Sequence, residues 1–312
     1  MGKILMSLVD NLGMTRVYFW LKFVTVVAVV LLVFTAGGGY LEPLSASGEA
    51  VVATGYRFDF DHVKKGPWLN AKAALLVNYE NGEVLFARNA DKVRSIASIS
   101  KLVTAMVVLD RNIDMNRVET ITKEDARRSS RSRLRVGSKL ALHDLLDATL
   151  ASSDNRAARA LARAVAGNCE EFAKLMNAKV LEMGLEHTSF YEPTGLDARN
   201  VSSAHEVARI LHYAYDYELI AKITSGKQHP VQFANLKYRT GRLPNTNRLL
   251  WSRYNVEAGK TGFIQAADYC VTSIVRNKQG ERLTLVLLGV PGDRLRFKEA
   301  GRLLKWGFNQ VQ

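Results

Sequence analysis

Metal-binding patterns are absent from this sequence. Its 312 residues include two cysteines, Cys169 and Cys270, and six histidines, with no CxxC or HExxH spacing among them. Since those spacings are typical of zinc sites, the sequence predicts no metal site. A disulfide is conceivable in an oxidising compartment, but sequence alone does not show that the two Cα atoms lie close together. Cys270, in the strand-like run DYCVTSIV, is better interpreted as a small buried core residue.

Features of a nucleic-acid-binding module are also missing, although the formal net charge is +13. Such a charge favours polyanionic partners, including an anionic membrane surface or an acidic wall polymer. The densest basic run is RRSSRSRLR, which contains Arg127, Arg128, Arg131, Arg133 and Arg135. Nucleic-acid recognition would call for interleaved aromatic residues or a known module, and neither accompanies this run. We interpret it as a solvated basic loop.

Long apolar runs are rare, and the one at the N-terminus indicates export. Residues 23–36, FVTVVAVVLLVFTA, follow Lys3, Arg16 and Lys22 and precede small residues. This pattern is typical of a secretory signal peptide. An uncleaved membrane anchor is the alternative, because the uncharged run extends to Leu41. We expect residues 1–50 to form the signal or anchor, residues 51–68 a linker and residues 69–310 the folded domain.

Strand patterns occur at both ends of the folded part and helix patterns lie between them. The segment Ala73–Arg88 predicts a hairpin around Asn81-Gly82. The runs VEAGKTGF, YCVTSIVR and RLTLVLLGV predict three later strands. Helices are expected over 98–111, 140–150, 156–165, about 172–183, after a Ser203–Glu206 capping box, and over 295–308. The order predicts an α+β fold, with one antiparallel sheet built from both chain ends and an inserted helical region.

The stretch SIASISKLVTA, residues 95–105, places a lysine in a predicted helix that is apolar nearly all round. A buried lysine is costly unless it is paired, and it tends to lose its proton. Ser98 and Lys101 are three residues apart and would share a helix face. A serine hydroxyl is a weak nucleophile that needs a base within hydrogen-bond reach, and a neutral lysine amine is such a base.

Two further short motifs carry polar groups suited to a cleft. Ser153-Asp154-Asn155 lies where one predicted helix ends and the next begins, a place where these residue types also serve as simple caps. Lys260-Thr261-Gly262 lies in a predicted strand, and its glycine would let another backbone approach closely. A lysine and a threonine there would suit a carboxylate, although an exposed lysine on an edge strand is the ordinary alternative.

Taken together and in this order, SxxK, SDN and KTG form the set found in penicillin-binding proteins and serine β-lactamases. The sequence resembles the low-molecular-mass D-alanyl-D-alanine carboxypeptidases and endopeptidases of the bacterial cell wall, most of all the penicillin-binding protein 7 type of endopeptidase. The resemblance covers about residues 69–308. It extends to ARNADKVRSIASISKLVTAM, SSDNRAA, FYEPTGLDARNVSSA, NTNRLLW and GKTGF.

This resemblance implies a serine peptidase of the periplasm that acts on peptidoglycan stem peptides and takes part in cell-wall biogenesis and cell shape. It also implies that the enzyme is sensitive to penicillin, is inhibited by β-lactams in general and needs no cofactor. The implied nucleophile is Ser98 and its general base is Lys101. The resemblance also implies that Ser153 relays a proton and that Asn155 helps to hold Lys101 and the substrate. Lys260 would supply positive potential, and Thr261 would bind the substrate carboxylate. The N–H groups of Ser98 and of Phe263, which follows Gly262, would form the oxyanion hole.

Three alternatives stay open at the level of sequence. A carboxypeptidase is the first, although KTGF departs from the KTGH common in that group and only a helix follows the last strand. A β-lactamase is disfavoured, because FYEPTGLDARN, with Glu192 and Asn200, contains no ExxLN pattern. A non-catalytic wall-binding protein would use the +13 charge alone and would not need Ser98.

Overall fold

The computed structural model describes residues 55–127, 132–235 and 240–311. The expected export segment lies outside these ranges, as do Arg128 and Arg131 of the basic run. Within the described ranges, none of the helices combines the length and apolar character that crossing a bilayer requires.

The domain contains both strands and helices. The strands are β1 (Ala73–Asn78), β2 (Val84–Arg88), β3 (Arg94–Ser95), β4 (Val118–Thr120), β5 (Lys139–Ala141), β6 (Val201–Ser202), β7 (Gln228–Gln232), β8 (Thr240–Pro244), β9 (Asn255–Ile264), β10 (Asp268–Arg276) and β11 (Arg282–Val290). The α-helices are α1 (Lys101–Asp110), α2 (Leu142–Leu150), α3 (Asn155–Ala166), α4 (Cys169–Glu182), α5 (Ala204–Tyr215), α6 (Glu218–Ser225) and α7 (Asp293–Phe308). Short 3-10 helices cover Ala97–Ser100 and Arg248–Trp251.

Five strands form the main antiparallel sheet in the order β2-β1-β11-β10-β9. Strands from the two ends of the domain are therefore neighbours, and the predicted α+β architecture is confirmed. Because side chains alternate along a strand, β1 contributes to two apolar cores. Leu75 and Val77 pack towards the helical region, whereas Ala74 and Leu76 pack towards α7. The sheet is consequently covered on both faces.

The ends of the helices follow local capping chemistry. The Asp154 carboxylate accepts from the N–H groups of Arg156 and Ala157, as an N-cap does. Gly184, at φ +63°, follows α4 in the left-handed region that favours glycine. Ser203 caps α5 through the N–H of Glu206, but the Glu206 carboxylate instead accepts from residues 186 and 187. The capping box is therefore only half formed.

One predicted helix start is wrong. The sequence pattern predicts Ser98 in the first turn of an α-helix, but Ala97–Ser100 form a 3-10 turn and α1 begins at Lys101. The backbone of Ala97 has φ +49°, which an α-helix cannot accommodate.

The stretch expected to be a linker contacts the domain from Gly55 onward. The N–H of Asp59 donates to the Gly82 carbonyl at 2.9 Å, and the Val84 N–H donates to the Asp59 carbonyl at 2.7 Å. The Tyr56 ring lies edge-on to His212, with centroids 4.8 Å apart. These contacts tie the described part of this stretch to the hairpin and to α5.

The cysteines and the basic run also have clear positions. Cys169 and Cys270 are both free, so the conceivable disulfide is not formed, and Cys270 is buried in β10. Arg127, Arg133 and Arg135 are exposed, which agrees with a solvated basic loop for the part of that run that the structure describes.

Candidate active site

The 3-10 turn places Ser98 directly beside Lys101. A 3-10 helix has three residues per turn, so side chains at i and i+3 are aligned. The Ser98 Oγ lies 2.8 Å from the Lys101 Nζ. The Ser98 hydroxyl also donates to the Thr194 carbonyl at 3.2 Å. The 3-10 turn therefore aligns Ser98 with Lys101, whereas an α-helix with 3.6 residues per turn would offset them.

Lys101 is completely buried, with neutral hydrogen-bond partners. Its Nζ lies 2.7 Å from the Asn155 Oδ1 and also donates to the Thr194 carbonyl. Burial lowers the pKa of Lys101 to about 7, and the charges of Glu192 and Asp154 oppose that drop only in part. A substantial fraction of this amine is therefore neutral near pH 7 and able to accept a proton.

Ser153 and Asn155 project from the junction between α2 and α3. Ser153 has φ +58°, and its Oγ accepts from the Lys260 Nζ at 2.8 Å. Asn155 is the first residue of α3 and faces Lys101. Asp154 points the other way, because its carboxylate caps α3 and accepts from the Ser132 hydroxyl at 2.6 Å. Of the SDN motif, two residues therefore line the site and the third holds them in place.

Lys260 lies in β9 and is 1% exposed. Burial lowers its pKa well below the ordinary value, and the nearby charges of Lys101 and Arg296 lower it further. Its Nζ donates to Ser153 and to the Thr261 carbonyl, the latter at 3.0 Å. The site thus contains two buried amines, each held against a serine hydroxyl.

Gly262 lets β9 lie against the 3-10 turn. A Cβ added at this glycine would come within 2.9 Å of the Ile96 carbonyl oxygen and 3.0 Å of the Ser98 nitrogen. Phe263 follows it with a side chain that is 50% exposed and stacks on Tyr269, with ring centroids 4.1 Å apart. The backbone of residues 262–263 therefore runs beside Ser98, while the Phe263 ring packs along the sheet.

Two contacts at the site involve residues to which the motifs alone assign no role. The Thr194 carbonyl accepts from both Ser98 and Lys101, and the loop around it closes because the Glu192 carboxylate accepts from the N–H groups of residues 194 and 196. The Thr246 hydroxyl lies 2.6 Å from the Thr261 hydroxyl. Both occur in segments that carry the family resemblance, FYEPTGLDARN and NTNRLLW, but a main-chain acceptor has no side-chain signature in sequence.

The asparagines on either side of Thr246 have structural partners. Asn245 donates to the carbonyls of Thr224 and Gly226, at 3.1 and 3.0 Å. Asn247 donates to the Ser273 hydroxyl at 2.9 Å. These bonds anchor the segment that positions Thr246.

Comparison with known proteins identifies the family. The chain belongs to the D-alanyl-D-alanine carboxypeptidase family of serine peptidases, peptidase S11, whose sequence model matches residues 61–292. It is 38% identical over 244 residues to a D-alanyl-D-alanine endopeptidase of Pseudomonas aeruginosa, a match covering 76% of this chain and 77% of that protein. It is 35% identical over 246 residues to a D-alanyl-D-alanine endopeptidase of Escherichia coli, covering 77% and 78%.

The fold is similar to that of a solved relative. The crystal structure of the Streptomyces K15 DD-transpeptidase superimposes with a TM-score of 0.73 at 26% identity, over 79% of this chain and 100% of that one. The predicted family resemblance and the predicted fold are both confirmed.

Proposed function

We propose that the protein is a serine-type D-alanyl-D-alanine endopeptidase that hydrolyses peptidoglycan cross-links through an acyl-enzyme on Ser98. The observation that carries the proposal is the 2.8 Å contact between the Ser98 hydroxyl and the buried Lys101 amine. With a pKa of about 7, that amine can take the serine proton at neutral pH. The endopeptidase relatives, matched over more than three quarters of their length, support the choice of substrate.

Acylation begins when the neutral Lys101 amine accepts the Ser98 proton as the Oγ attacks the carbonyl carbon of a D-alanine. The oxyanion that forms is stabilised by the N–H groups of Ser98 and Phe263. The C–N bond then breaks as the proton held by Lys101 passes through the Ser153 hydroxyl to the leaving amine, which leaves Lys101 neutral again. The Ser153 hydroxyl lies 2.8 Å from the Lys260 Nζ. Water subsequently cleaves the ester on Ser98 and releases the product.

Thr261 and Lys260 bind the carboxylate on the leaving side of the bond. Burial and the neighbouring Lys101 lower the pKa of Lys260, so this amine is not a fixed cation in the free enzyme. A bound carboxylate raises that pKa again, because an opposite charge nearby favours the protonated form. Positive potential at Lys260 is thus coupled to the arrival of substrate.

Labelling with a fluorescent penicillin tests the proposal. We expect the wild type to be labelled and Ser98→Ala to be unlabelled. Ser95→Ala is a matched control, since Ser95 is also a buried serine and its Oγ has no hydrogen-bond partner among the described residues. Labelling that persists in Ser98→Ala, or is absent from the wild type, would contradict the assignment of Ser98.

A carboxypeptidase is the second candidate, because the family to which the chain belongs is that of the D-alanyl-D-alanine carboxypeptidases. The two activities are separated by incubating the protein with cross-linked muropeptide dimers and with monomeric pentapeptide. The endopeptidase proposal requires that the dimers are split into monomers. Release of terminal D-alanine with the dimers left intact would replace it with the carboxypeptidase.

The remaining alternatives predict different behaviour towards β-lactams. A wall-binding protein without catalytic activity would not be labelled by penicillin. A β-lactamase would turn over nitrocefin rapidly, which requires a base for deacylation. Glu192 is poorly placed for that task, because its carboxylate already accepts from the Thr194 hydroxyl and from loop N–H groups. We therefore expect β-lactams to act as inhibitors.

We place the protein in the periplasm, with peptidoglycan stem peptides as its partners and no role in nucleic-acid binding. Residues 1–50 would direct export as a cleaved signal or retain the protein at the inner membrane. Residues 51–68 would connect this segment to residues 69–310, which would carry the activity. Cell fractionation with N-terminal sequencing of the mature protein tests this division. A cytoplasmic protein beginning at Met1 would contradict it.

A further inference from the structure

The loop of residues 191–200 passes beside the candidate active site and contributes the Thr194 carbonyl to it. This oxygen accepts from the Lys101 amine and lies 3.2 Å from the Ser98 Oγ. The proposed acyl transfer assigns a role neither to this carbonyl nor to Glu192, an acidic residue of the same loop. Both nevertheless bear on how the amine accepts a proton.

The hydrogen bonds of the Lys101 amine determine where its lone pair points. Among the described residues three groups contact the Nζ, and two of them are pure acceptors: the Asn155 Oδ1 at 2.7 Å and the Thr194 carbonyl oxygen. The third, the Ser98 hydroxyl at 2.8 Å, can either accept or donate. A neutral amine has two N–H groups and one lone pair. When the two N–H groups donate to the two acceptors, the lone pair is left facing the Ser98 hydroxyl.

The Thr194 carbonyl serves both protonation states of the amine. When Lys101 is protonated, its three N–H groups donate to all three partners, and the Ser98 hydroxyl donates to the Thr194 carbonyl. When Lys101 is neutral, the lone pair replaces the third N–H group and the hydroxyl proton turns towards it. Transfer of that proton forms the third N–H bond of the amine, while its other two hydrogen bonds stay as they were. The carbonyl must therefore keep its position throughout the step.

The Glu192 carboxylate holds the peptide group that carries this carbonyl. It accepts from the N–H and the hydroxyl of Thr194, at 2.8 and 2.6 Å. It also accepts from the Leu196 N–H at 2.8 Å. Because these bonds lie on both sides of the peptide between Thr194 and Gly195, the carboxylate fixes that peptide from both ends.

The loop is also tied to α1, the helix of the base. The Thr104 hydroxyl, on α1, donates to the Pro193 carbonyl at 2.7 Å. The Asn200 side-chain amide donates to the Glu192 carbonyl at 2.7 Å. Thr104 and Asn200 are both fully buried. The main chain on either side is thus anchored, and the Glu192 carboxylate sets the direction of the Thr194 carbonyl between these anchors.

We propose that Glu192 is a positioning residue for proton transfer: by holding the Thr194 carbonyl, it directs the lone pair of Lys101 at the Ser98 hydroxyl. The inference rests on the proposed function and deepens it, because it assigns what orients the base. Misplacement of a reacting group by about 1 Å can cost about 100-fold in rate. The charge of Glu192 has a second effect, since it raises the pKa of Lys101 and so opposes part of the effect of burial.

Rates of labelling by a fluorescent penicillin, measured from pH 5 to 9, test the inference. Glu192→Gln keeps the shape of the side chain, removes its charge and replaces one acceptor oxygen by an NH2 group. We expect the rate reached at high pH to fall about tenfold, because the lone pair is no longer held in direction. We also expect the inflection of the rate to move to lower pH, because the pKa of Lys101 loses an opposing charge.

Glu192→Asp is the conservative variant. Its carboxylate keeps the charge and can accept from the N–H two residues along, but it is one methylene shorter, which weakens the bond to the Leu196 N–H. The inflection should therefore stay near 7. The rate at high pH should lie between those of the wild type and Glu192→Gln.

Asp197→Asn is the matched control, since it removes a second carboxylate from the same loop. That carboxylate accepts from the Arg199 guanidinium at 2.9 and 2.7 Å. We expect this variant to keep the wild-type rate and inflection. Melting temperatures of all variants identify any that fail to fold, and a variant that is only less stable would lose labelled protein without a change in the inflection.

Three results would overturn the inference while leaving the proposed function intact. One is a rate at high pH in folded Glu192→Gln that equals the wild-type rate. Another is a lowered rate with an unmoved inflection, which would indicate a structural role alone. The third is an equal change of rate and inflection in Asp197→Asn, which would assign the effect to the charge of the loop as a whole. Absence of labelling in the wild type would instead contradict the proposed function, and the inference with it.

Discussion

Replacement of Lys101 by methionine tests the physical basis of the site. Burial lowers the pKa of Lys101 from 10.5 to about 7, because folding removes this amine from water and so destabilises its protonated form. By linkage this costs the folded state about 4 kcal/mol at pH 7 and about 1 kcal/mol at pH 10. Methionine has a similar length and no charge, so it removes this cost.

The variant also loses the three hydrogen-bond contacts of the amine, to Ser98, Asn155 and Thr194. At about 1 kcal/mol each, their loss offsets much of the gain. We therefore expect Lys101→Met to be more stable than the wild type by about 1 kcal/mol at pH 7. At pH 10 the order reverses, because the wild type has recovered about 3 kcal/mol.

The sign follows from proton binding. Between pH 7 and 10.5 the unfolded chain binds a proton at Lys101 that the folded protein releases, so wild-type stability rises with pH over this range. Urea unfolding of both proteins at pH 7, 8, 9 and 10 measures the difference, and titrating groups that do not interact with Lys101 cancel between them. Lys72→Met is the matched control for removal of a lysine at the surface, since the Lys72 side chain is 58% exposed.

A difference between Lys101→Met and wild type that does not change from pH 7 to pH 10 would refute the reasoning. It would mean that the amine keeps an ordinary pKa in the folded protein. In that case Lys101 could not act as a base at neutral pH, and penicillin labelling would need another explanation. If Lys101 is the base, Lys101→Met should show no labelling by penicillin at any pH.

Three further predictions concern the rate of labelling. It should rise with pH through an inflection near 7, as Lys101 loses its proton; a flat profile from pH 5 to 9 would count against this base. Thr246→Val should slow labelling by penicillin about tenfold, because it removes the hydrogen-bond partner of the Thr261 hydroxyl. Thr246→Ser should restore the labelling rate. An equal loss of rate in both variants would contradict a role for the Thr246 hydroxyl and indicate misfolding. Gly262→Ala should slow labelling because its Cβ meets main-chain atoms at 2.9 and 3.0 Å. Gly301→Ala, with open space around it, should leave the labelling rate unchanged and should be neutral for stability or stabilising by about 0.5–1 kcal/mol. Equal effects of the two substitutions on the labelling rate would contradict the packing argument.

Much of the fold could be predicted because it depends on local patterns. The hairpin at 73–88, the three C-terminal strands and the Asp154 cap all follow from residue type and period within a few residues. The start of α1 could not, because the positive φ of Ala97 is imposed from outside the segment. The loop around Gly195 lies directly against the Ala97 carbonyl. A contact between residues so far apart in the chain has no local signal.

By itself, the sequence determined the family and the residue types of the site, since three short motifs in a fixed order are specific even when each is weak alone. Only the tertiary structure decided how those residues act on one another. It brings Lys260 to Ser153 and Asn155 to Lys101 across large separations in the chain, and it excludes water from both amines. A lowered pKa depends on that exclusion, and exclusion of water is a property of packing rather than of any motif. The lysine that is out of place in an apolar helix pattern is therefore made reactive by the fold around it.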